Sequence, residues 1–304
     1  MGQGSVFKSS NKNYIMNYVR KAGDKLIEFW QNLSGFGKVG LVVLLCMVVL
    51  AVGAPLFTWL PHNTSSGPPL VPPGGEHLMG TDELGVDLWS QIAFGARVSL
   101  LVGLGTALLA GLGGGLIGIW AGYKGGLVER LLMRVIDIMI IMPDLPVMVI
   151  LAAFFGSSLT NIIIVLALFS WSHPARIVRS QVLSLKEQGY VQMARVYGAG
   201  DFYIIFKHLL PELIPILVVS MVRLSGMAIV TEAGLSFLGL GDPTSRSWGL
   251  IINHALNFSG IYFTPFWKWW LMYPWMFLTL LITAIALFGR DLERIADPRI
   301  TKRL

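Results

Sequence analysis

The sequence is poor in charge. Only 13% of its 304 residues are Asp, Glu, Lys or Arg, whereas soluble domains carry about 25% charged residues. Hydrophobic residues make up 54% of the chain, and the mean hydropathy is +0.66. These values exclude an ordinary soluble domain and predict an all-α, polytopic membrane protein.

Cysteine is almost absent. Cys46 is the only one, and it lies in an apolar run, which excludes a disulfide framework and a cysteine-based metal site. The pattern G-x-x-x-x-G-K-[ST] is missing, so the chain is not expected to cradle ATP phosphates itself. The letters G-x-G-x-x-G occur at 113–118, but no predicted strand precedes them and they lie inside a membrane helix, which argues against a dinucleotide site.

Signatures of catalysis and metal binding are missing too. No nucleophile, base and orienting group can be assembled from the motifs, so an enzyme is the least favoured class and no catalytic residue is predicted. No other histidine or carboxylate lies at metal-ligand spacing around His173, and no metal site is predicted.

Long apolar runs are what the sequence does contain. Because a helix needs roughly 20 residues to cross a bilayer, six spans are predicted, at about 39–60, 98–123, 131–155, 161–182, 213–235 and 271–289. Pro143 and Pro146 interrupt the third span. Small residues recur every four positions along the second span, which predicts close helix packing, in the rows Gly103, Ala107, Gly111, Gly115 and Gly114, Gly118, Gly122.

The basic residues are unevenly distributed. Of the 23 Lys and Arg residues, only Arg97, Arg223, Arg246 and Lys268 lie outside four segments, which are 1–38, 124–134, 176–207 and 290–303. The positive-inside rule therefore predicts that both termini and the loop 183–210 are cytoplasmic. The net charge of +6 reflects this topology, and no nucleic-acid partner is predicted.

Three polar residues inside the spans are candidate pathway residues, because a charge in lipid is costly and suggests function. Asp144 lies between the two prolines, where it either lines a pathway or binds backbone donors freed at the kink. For Arg223 three roles are open: it pairs with Asp144, it contacts an acidic group of the substrate, or it pairs within a dimer interface. His173 alone is more simply explained as a satisfied interior histidine than as a proton relay or a ligand.

The stretch Tyr190–Pro211 is the longest mixed polar and apolar segment. Its periodicity predicts a helix, a turn permitted by Gly198 and Gly200, and a second helix. We expect it to seat against another protein at the membrane surface, the alternative being an ordinary amphipathic surface helix.

The same stretch resembles the cytoplasmic loop of ABC importer permeases, which reads E-A-A, three residues, glycine, about nine residues and I-x-L-P. Gly198, Ala194 and the segment 208–211 match, whereas Gln192 and Met193 replace the usual glutamate and first alanine. The resemblance implies docking of an ATPase on Tyr190, Gln192, Ala194, Arg195, Gly198, Ala199, His208 and Pro211.

Two more segments resemble the dipeptide, oligopeptide and nickel branch of that family. Residues 80–87 are similar to G-T-D-x-x-G-R-D, with Val86 in place of arginine, and residues 231–249 are similar to T-E-A-x-L-S-F-L-G-L-G…S-W-G. Candidate contacts with an external binding protein are Asp82, Asp87, Asp242 and Trp248. Helix capping is the alternative role of Asp82 and Asp87.

The resemblance runs from about residue 79 to the C-terminus and implies a type I ABC importer permease fold with both termini inside. The implied regions are a cytoplasmic segment 1–38 with an interfacial helix, a first span 39–60, an external loop 61–96, a core of five spans 97–289 with the coupling loop 183–210 and the external loop 236–270, and a cytoplasmic tail 290–304.

The implied function is that of a permease subunit in the cell membrane of a prokaryote, importing di- and oligopeptides or, alternatively, oligosaccharides or nickel. The implied partners are two ABC ATPase subunits, a homologous second permease, an external solute-binding protein and the lipid bilayer. The chain itself binds no cofactor, since ATP and Mg are held by the ATPases.

Two other classes remain open. One is an ion-driven secondary transporter, which predicts paired intramembrane carboxylates or inverted repeats. The other is a membrane scaffold without a pore.

Overall fold

The computed structural model describes residue 24 and residues 27–296. Within this part of the chain there are helices and loops but no strand, only two isolated bridges at Gly74–His77 and Thr81–Asp87. The interfacial helix predicted near Phe29 and the C-terminal tail fall partly outside the described residues. The helices are α1 (Gly35–Phe57), α2 (Leu88–Lys124), α3 (Gly126–Ile141), α4 (Asp144–Phe155), α5 (Leu159–Ser170), α6 (Ser172–Lys186), α7 (Gly189–Val196), α8 (Asp201–Ile204), α9 (Leu210–Phe237), α10 (Trp248–Asn257), α11 (Trp267–Trp270) and α12 (Met272–Ala296), with a π-helical turn at Ile205–Leu209.

The helices long and apolar enough to cross a membrane agree with the predicted spans. There are five such stretches in the described chain, and a sixth if the bent pair α3 and α4 is taken as one span. The five are Gly35–Phe57, Leu88–Lys124, Leu159–Lys186, Asp201–Phe237 and Trp267–Ala296.

The third predicted span is bent by 92° between α3 and α4. Met142, with φ −67° and ψ 136°, is extended, because a residue that precedes a proline is pushed out of the helical region. Pro143 therefore causes the break. Pro146 does not, since it lies in the first turn of α4, where backbone N–H groups have no partner within the helix.

The second span begins ten residues earlier than predicted, at Leu88 rather than at residue 98. Asp87 caps the helix, its carboxylate accepting a hydrogen bond from the N–H of Ser90 at 2.8 Å. At 1.5 Å per residue, α2 is about 55 Å long and extends beyond the roughly 30 Å of hydrocarbon.

The small-residue rows of α2 bring neighbouring backbones together, as predicted. A Cβ atom added to Gly118 would lie 2.5 Å from the carbonyl oxygen of Ala175 in α6. The row of Gly114, Gly118 and Gly122 faces α6, whereas Gly103, Gly111 and Gly115 face α9. The two rows thus place α2 at the centre of the bundle, between α6 and α9.

α1 is hydrogen-bonded to α2 at the turn where a proline interrupts the backbone hydrogen bonds of α1. Pro55 has no N–H, so the carbonyl of Ala51 is without a partner in the helix. Arg97 of α2 donates to that carbonyl from Nε and to the carbonyl of Val52 from Nη2 at 2.9 Å. A basic residue outside the four charged segments therefore has a structural role.

Candidate functional site

Residues 183–210, here called the docking loop, form short helices seated on the bundle. α7 is anchored by Val191, which is only 1% exposed. Val191 belongs to a buried cluster built from α2, α6, α8, the π-helical turn and α9, namely Ile119, Tyr123, Val178, Val182, Ile204, Leu209, Leu213 and Leu217. The loop is therefore packed against three of the long helices.

Gly198 ends α7 through a Schellman motif. The N–H of Ala199 donates to the carbonyl of Ala194 at 3.0 Å, and the N–H of Gly198 donates to the carbonyl of Arg195 at 3.0 Å. Gly198 has φ +82°, a left-handed conformation that glycine adopts without steric cost. The predicted glycine turn is confirmed at Gly198, whereas Gly200, with φ −69°, has a backbone that other residues adopt.

Polar contacts fix both halves of the docking loop to the end of α2. The hydroxyl of Tyr123 donates to Asp201 Oδ1 at 2.8 Å, and Lys124 Nζ donates to Oδ2 at 3.0 Å. The guanidinium of Arg195 lies 5.5 Å from the centre of the Tyr123 ring. Both helices of the docking loop are therefore tied to the end of α2.

The other face of the docking loop is exposed and apolar. Tyr197 is 82% exposed. Besides Tyr190, which the motif already names, the other large exposed side chains are Met193, Val196, Phe202, Tyr203 and Phe206. Apolar patches of this kind mark interaction sites. Sequence reasoning missed these six residues because it took its candidates from the matched motif. The sequence pattern groups Val196 and Tyr197 on one side of the helix with Val191. This prediction is wrong, because Val191 is buried whereas Val196 and Tyr197 are exposed.

The predicted docking residues are divided between exposed and partly buried positions. The exposed ones are Tyr190, Gln192, Arg195, Gly198 and Pro211, and the half-buried ones are Ala194, Ala199 and His208. The His208 ring lies 5.8 Å from the Tyr190 ring and 5.6 Å from the Tyr203 ring, so it bridges the two halves of the loop. The Gln192 amide donates to the carboxylate of Glu187 at 3.3 Å, so this hydrogen bond lies within the loop itself.

Two of the three candidate pathway residues, Asp144 and His173, line one cavity. Its walls come from α4, α5, α6 and α9, and it is also lined by Met148, Leu166, Phe169, Ser170, Leu224, Met227, Ala228 and Thr231. Asp144 and His173 are both exposed, and the N-cap residue of α4 is Pro143, which has no side-chain hydrogen bond to offer the helix. In the described chain, no three His, Cys, Asp or Glu side chains are arranged to hold a metal ion.

Arg223 is not part of this cavity. Its Nη2 lies 2.9 Å from Glu293 Oε2 in α12, and both side chains are largely exposed. The suggested pairing of Arg223 with Asp144 is therefore wrong. The continuous helical stretch that ends with α9 begins at residue 201, well before the predicted span. Position 223 lies opposite the last turns of α12 rather than beside the cavity.

The residues predicted to contact an external protein are mostly buried. Asp82 accepts hydrogen bonds from the N–H groups of Leu84 and Val86, both at 2.9 Å. Asp87 caps α2, and Trp248 donates from Nε1 to the carbonyl of Ile92 at 3.0 Å. The prediction of direct contact is wrong for Asp82, Asp87 and Trp248, because their side chains are enclosed by the protein's own loop and helices.

Asp242 is half-buried and joins the end of α9 to the start of α5. Its carboxylate accepts hydrogen bonds from the N–H of Leu159 at 3.1 Å and from the N–H of Thr244 at 2.8 Å. Burial raises the pKa of Asp242, but the hydrogen bonds from Thr244, Leu159 and Ser245 outweigh burial and hold the pKa below its ordinary value.

Long apolar helices, a small cavity beside a broken helix and a loop with an exposed apolar face favour a component of a membrane transport system. The family described as the binding-protein-dependent transport system inner membrane component matches residues 114–302. The chain belongs to this family, and the resemblance to ABC importer permeases is confirmed. It is an integral protein of a bacterial inner membrane with the type I ABC importer permease fold, and it is a permease component rather than an enzyme.

Similarity to individual proteins covers most of the chain. A protein of Brucella suis biovar 1, named as a peptide transport system permease protein, is 40% identical over 86% of this chain and 88% of its own length. The dipeptide transport system permease protein of Bacillus subtilis strain 168 is 37% identical, over 90% of this chain and 85% of its own length. The oligopeptide transport system permease protein of the same strain is 32% identical, over 92% of this chain and 90% of its own length.

Proposed function

We propose that the chain is the permease subunit of an ATP-driven importer of di- and oligopeptides. The observation that carries this proposal is the docking loop, whose exposed aromatic face is rigidly seated on α2, α6 and α9. A chain with such a seat and without a phosphate-binding loop needs a separate source of energy. The peptide cargo is supported by the names of the Brucella and Bacillus relatives.

The complete transporter contains two ATPase subunits, a homologous second permease and an external solute-binding protein, with ATP and Mg held by the ATPases. The loops 61–96 and 236–270 face the binding protein, and the docking loop faces the cytoplasm. The basic residues support this orientation, since Lys124, Arg195 and Lys207 lie at the docking-loop end of the bundle.

Transmission of force follows from the packing. When ATP closes the ATPase dimer, the aromatic face of the docking loop is displaced with it. The buried cluster around Val191 and the contacts of Asp201 carry the displacement into α2, α6 and α9 as one body. Because α6 and α9 form walls of the cavity, their movement opens that cavity alternately to the two sides of the membrane.

Cysteine crosslinking tests the docking surface. Cys46 is exposed and is first replaced by serine, and Tyr197→Cys then places one thiol on the docking loop. Phe263→Cys is the matched control, because Phe263 is an equally accessible aromatic residue, 90% exposed, in the loop after α10. We expect the thiol at 197 to crosslink to an ATPase subunit in the reconstituted complex and the thiol at 263 not to do so.

The same vesicles test the transport activity. Uptake of alanyl-alanine is expected to require ATP and the ATPase subunits. Uptake that continues at the same rate without the ATPases would favour an ion-driven transporter. Crosslinking at position 263 instead of position 197 would place the ATPases on the opposite side and contradict the proposal.

A further inference from the structure

Three basic residues meet at the end of the bundle that lies away from the docking loop. The guanidinium carbon of Arg97 lies 5.1 Å from the centre of the Phe94 ring, and the His62 ring is stacked on that same ring at 3.7 Å. Arg246 precedes α10, and its carbonyl oxygen lies 2.7 Å from the place where a Cβ atom would stand on Gly95. We call Arg97, Arg246 and His62 the external basic cluster.

The charge of this cluster is not neutralised by the chain. Among the described residues, neither Arg97 nor Arg246 forms a salt bridge. The carbonyls of Ala51 and Val52 accept hydrogen bonds from Arg97, but they carry no net charge. Burial lowers the pKa of His62 below its ordinary value, and the charges of Arg246 and Arg97 lower it further, with no carboxylate opposing them. An anion is therefore the ligand that the cluster suits.

The length of α2 places the cluster at the level of the lipid headgroups. Lys124, at the other end of α2, contacts Asp201 of the docking loop at 3.0 Å. About 40 Å of helix separate Lys124 from Arg97, at 1.5 Å per residue. A bilayer with its headgroup layers is about 40–45 Å thick. When Lys124 lies in one headgroup layer, Arg97 therefore lies in the other.

The surface beside Arg97 is apolar and open to lipid. Arg97 Nη2 donates to the carbonyl of Val52, whose side chain is 73% exposed. Leu56, one turn further along α1, is 87% exposed. Trp59 follows the end of α1 and is exposed as well, at the level where aromatic residues meet the headgroups. Acyl chains cover such a surface, whereas a water-soluble protein does not reach it.

From this arrangement we infer that the external basic cluster binds the phosphate of an anionic phospholipid, whose acyl chains lie along the exposed side of α1. A guanidinium matches the oxygens of a phosphate with two parallel N–H donors. The headgroup amine of a zwitterionic lipid would add a positive charge next to Arg97 and Arg246, so a lipid with net negative charge binds better. The inference goes beyond the proposed import of peptides, and only the leaflet to which the lipid belongs depends on the proposed orientation.

Lipid titration followed by native mass spectrometry tests the site. The full-length chain, purified in neutral detergent with the subunits that accompany it, is titrated with phosphatidylglycerol. Arg246→Gln is expected to weaken the binding of this lipid about 10-fold, as for the loss of a charge-assisted contact. Arg246→Lys keeps the charge and should lose less. Arg246 is chosen because Arg97 also holds α1, so its replacement would disturb the fold.

Two controls separate a built site from general attraction to a charged surface. Lys268→Gln removes an exposed basic residue at α11 and should leave the binding of phosphatidylglycerol unchanged. Zwitterionic phosphatidylcholine should bind more weakly than phosphatidylglycerol, with the same affinity for wild type and Arg246→Gln. A loss of the same size in Lys268→Gln and Arg246→Gln would overturn the inference.

The remaining outcomes are equally decisive. Unchanged binding of phosphatidylglycerol to Arg246→Gln contradicts the inference, and a simultaneous loss of binding to the external solute-binding protein would assign the anion to a carboxylate of that protein. If Arg246→Gln does not assemble, the wild type decides alone, since equal affinities for the two lipids would exclude the site. Lipid binding is read independently of alanyl-alanine uptake, so failure of the proposed import does not affect this result.

Discussion

Gly198 shows how one backbone conformation supports the docking loop. Nothing lies within 4 Å of the place where a Cβ atom would be added, so a side chain there meets no steric obstacle. The cost of replacing it comes only from φ +82°, which other residues adopt at about 1 kcal/mol or more. The direction of α8, and with it the position of Phe202, depends on this turn.

Gly198→Ala is therefore expected to lower the coupling of ATP hydrolysis to uptake while leaving the amount of inserted protein unchanged. The matched control is Gly200→Ala, because Gly200 also has nothing within 4 Å but has φ −69°. Uptake per ATP hydrolysed, measured in vesicles, checks the difference. The same coupling in both variants would mean that the left-handed turn is unimportant.

Asp242 gives a prediction about pH. Its pKa in the folded protein is held below the value of about 3.9 that an unfolded chain gives. The carboxylate therefore adds stability above that unfolded value, and the contribution is lost as the pH falls through the lowered folded pKa. Asp242→Asn should lower the thermal unfolding midpoint at pH 7, and the difference from wild type should shrink below about pH 4. A difference that stays constant from pH 7 to pH 3 would contradict this explanation.

At the scale of the helix, the glycine rows of α2 determine the distance to its neighbours. Gly118→Ala would place a methyl group 2.5 Å from the carbonyl oxygen of Ala175, which forces α2 and α6 apart. We expect a loss of about 1–3 kcal/mol in the free energy of unfolding, as for other overpacked cores. Gly113→Ala is the control on the same helix, because nothing lies within 4 Å of its added methyl group. Denaturant unfolding in mixed micelles measures both, and equal stabilities would show that the contact is not tight.

The helices could largely be predicted from sequence, because apolar length and charge placement are local properties. The number of candidate spans and the glycine rows follow directly from them. The sequence alone could not show which of the two prolines breaks the helix. Pro143 precedes the start of α4 and Pro146 lies in its first turn, and that difference is visible only once the helix bounds are known. Pairings such as Arg223 with Glu293 join residues far apart in the chain, and no periodicity reports them.

The candidate site was predicted unevenly for a related reason. The docking loop is contiguous, so Gly198 and its helices could be recognised in the sequence. Asp82, Asp87 and Trp248 have polar groups, which suggests that they lie on the external surface. Their polar groups instead form hydrogen bonds inside the protein. The cavity gathers Asp144, Ser170, His173 and Thr231 from four helices, and only the fold brings them together.

At the scale of the whole molecule, the docking loop and the cavity lie on the same helices. α6 and α9 contribute to the cluster around Val191 and also to the walls beside Asp144. α2 lies between them and carries no charge from residue 98 to residue 123, so it packs in lipid as a continuous support. We therefore expect a protein that binds the docking loop to act on the cavity without contacting it.

The contact between Arg97 and the carbonyls of Ala51 and Val52 bears on biogenesis. Without that guanidinium, the carbonyl of Ala51, which Pro55 leaves unpaired, would have no hydrogen-bond donor in the hydrocarbon of the membrane. We therefore expect α1 and α2 to enter the bilayer together as a helical hairpin, because the side chain of α2 then supplies the donor that the backbone of α1 lacks.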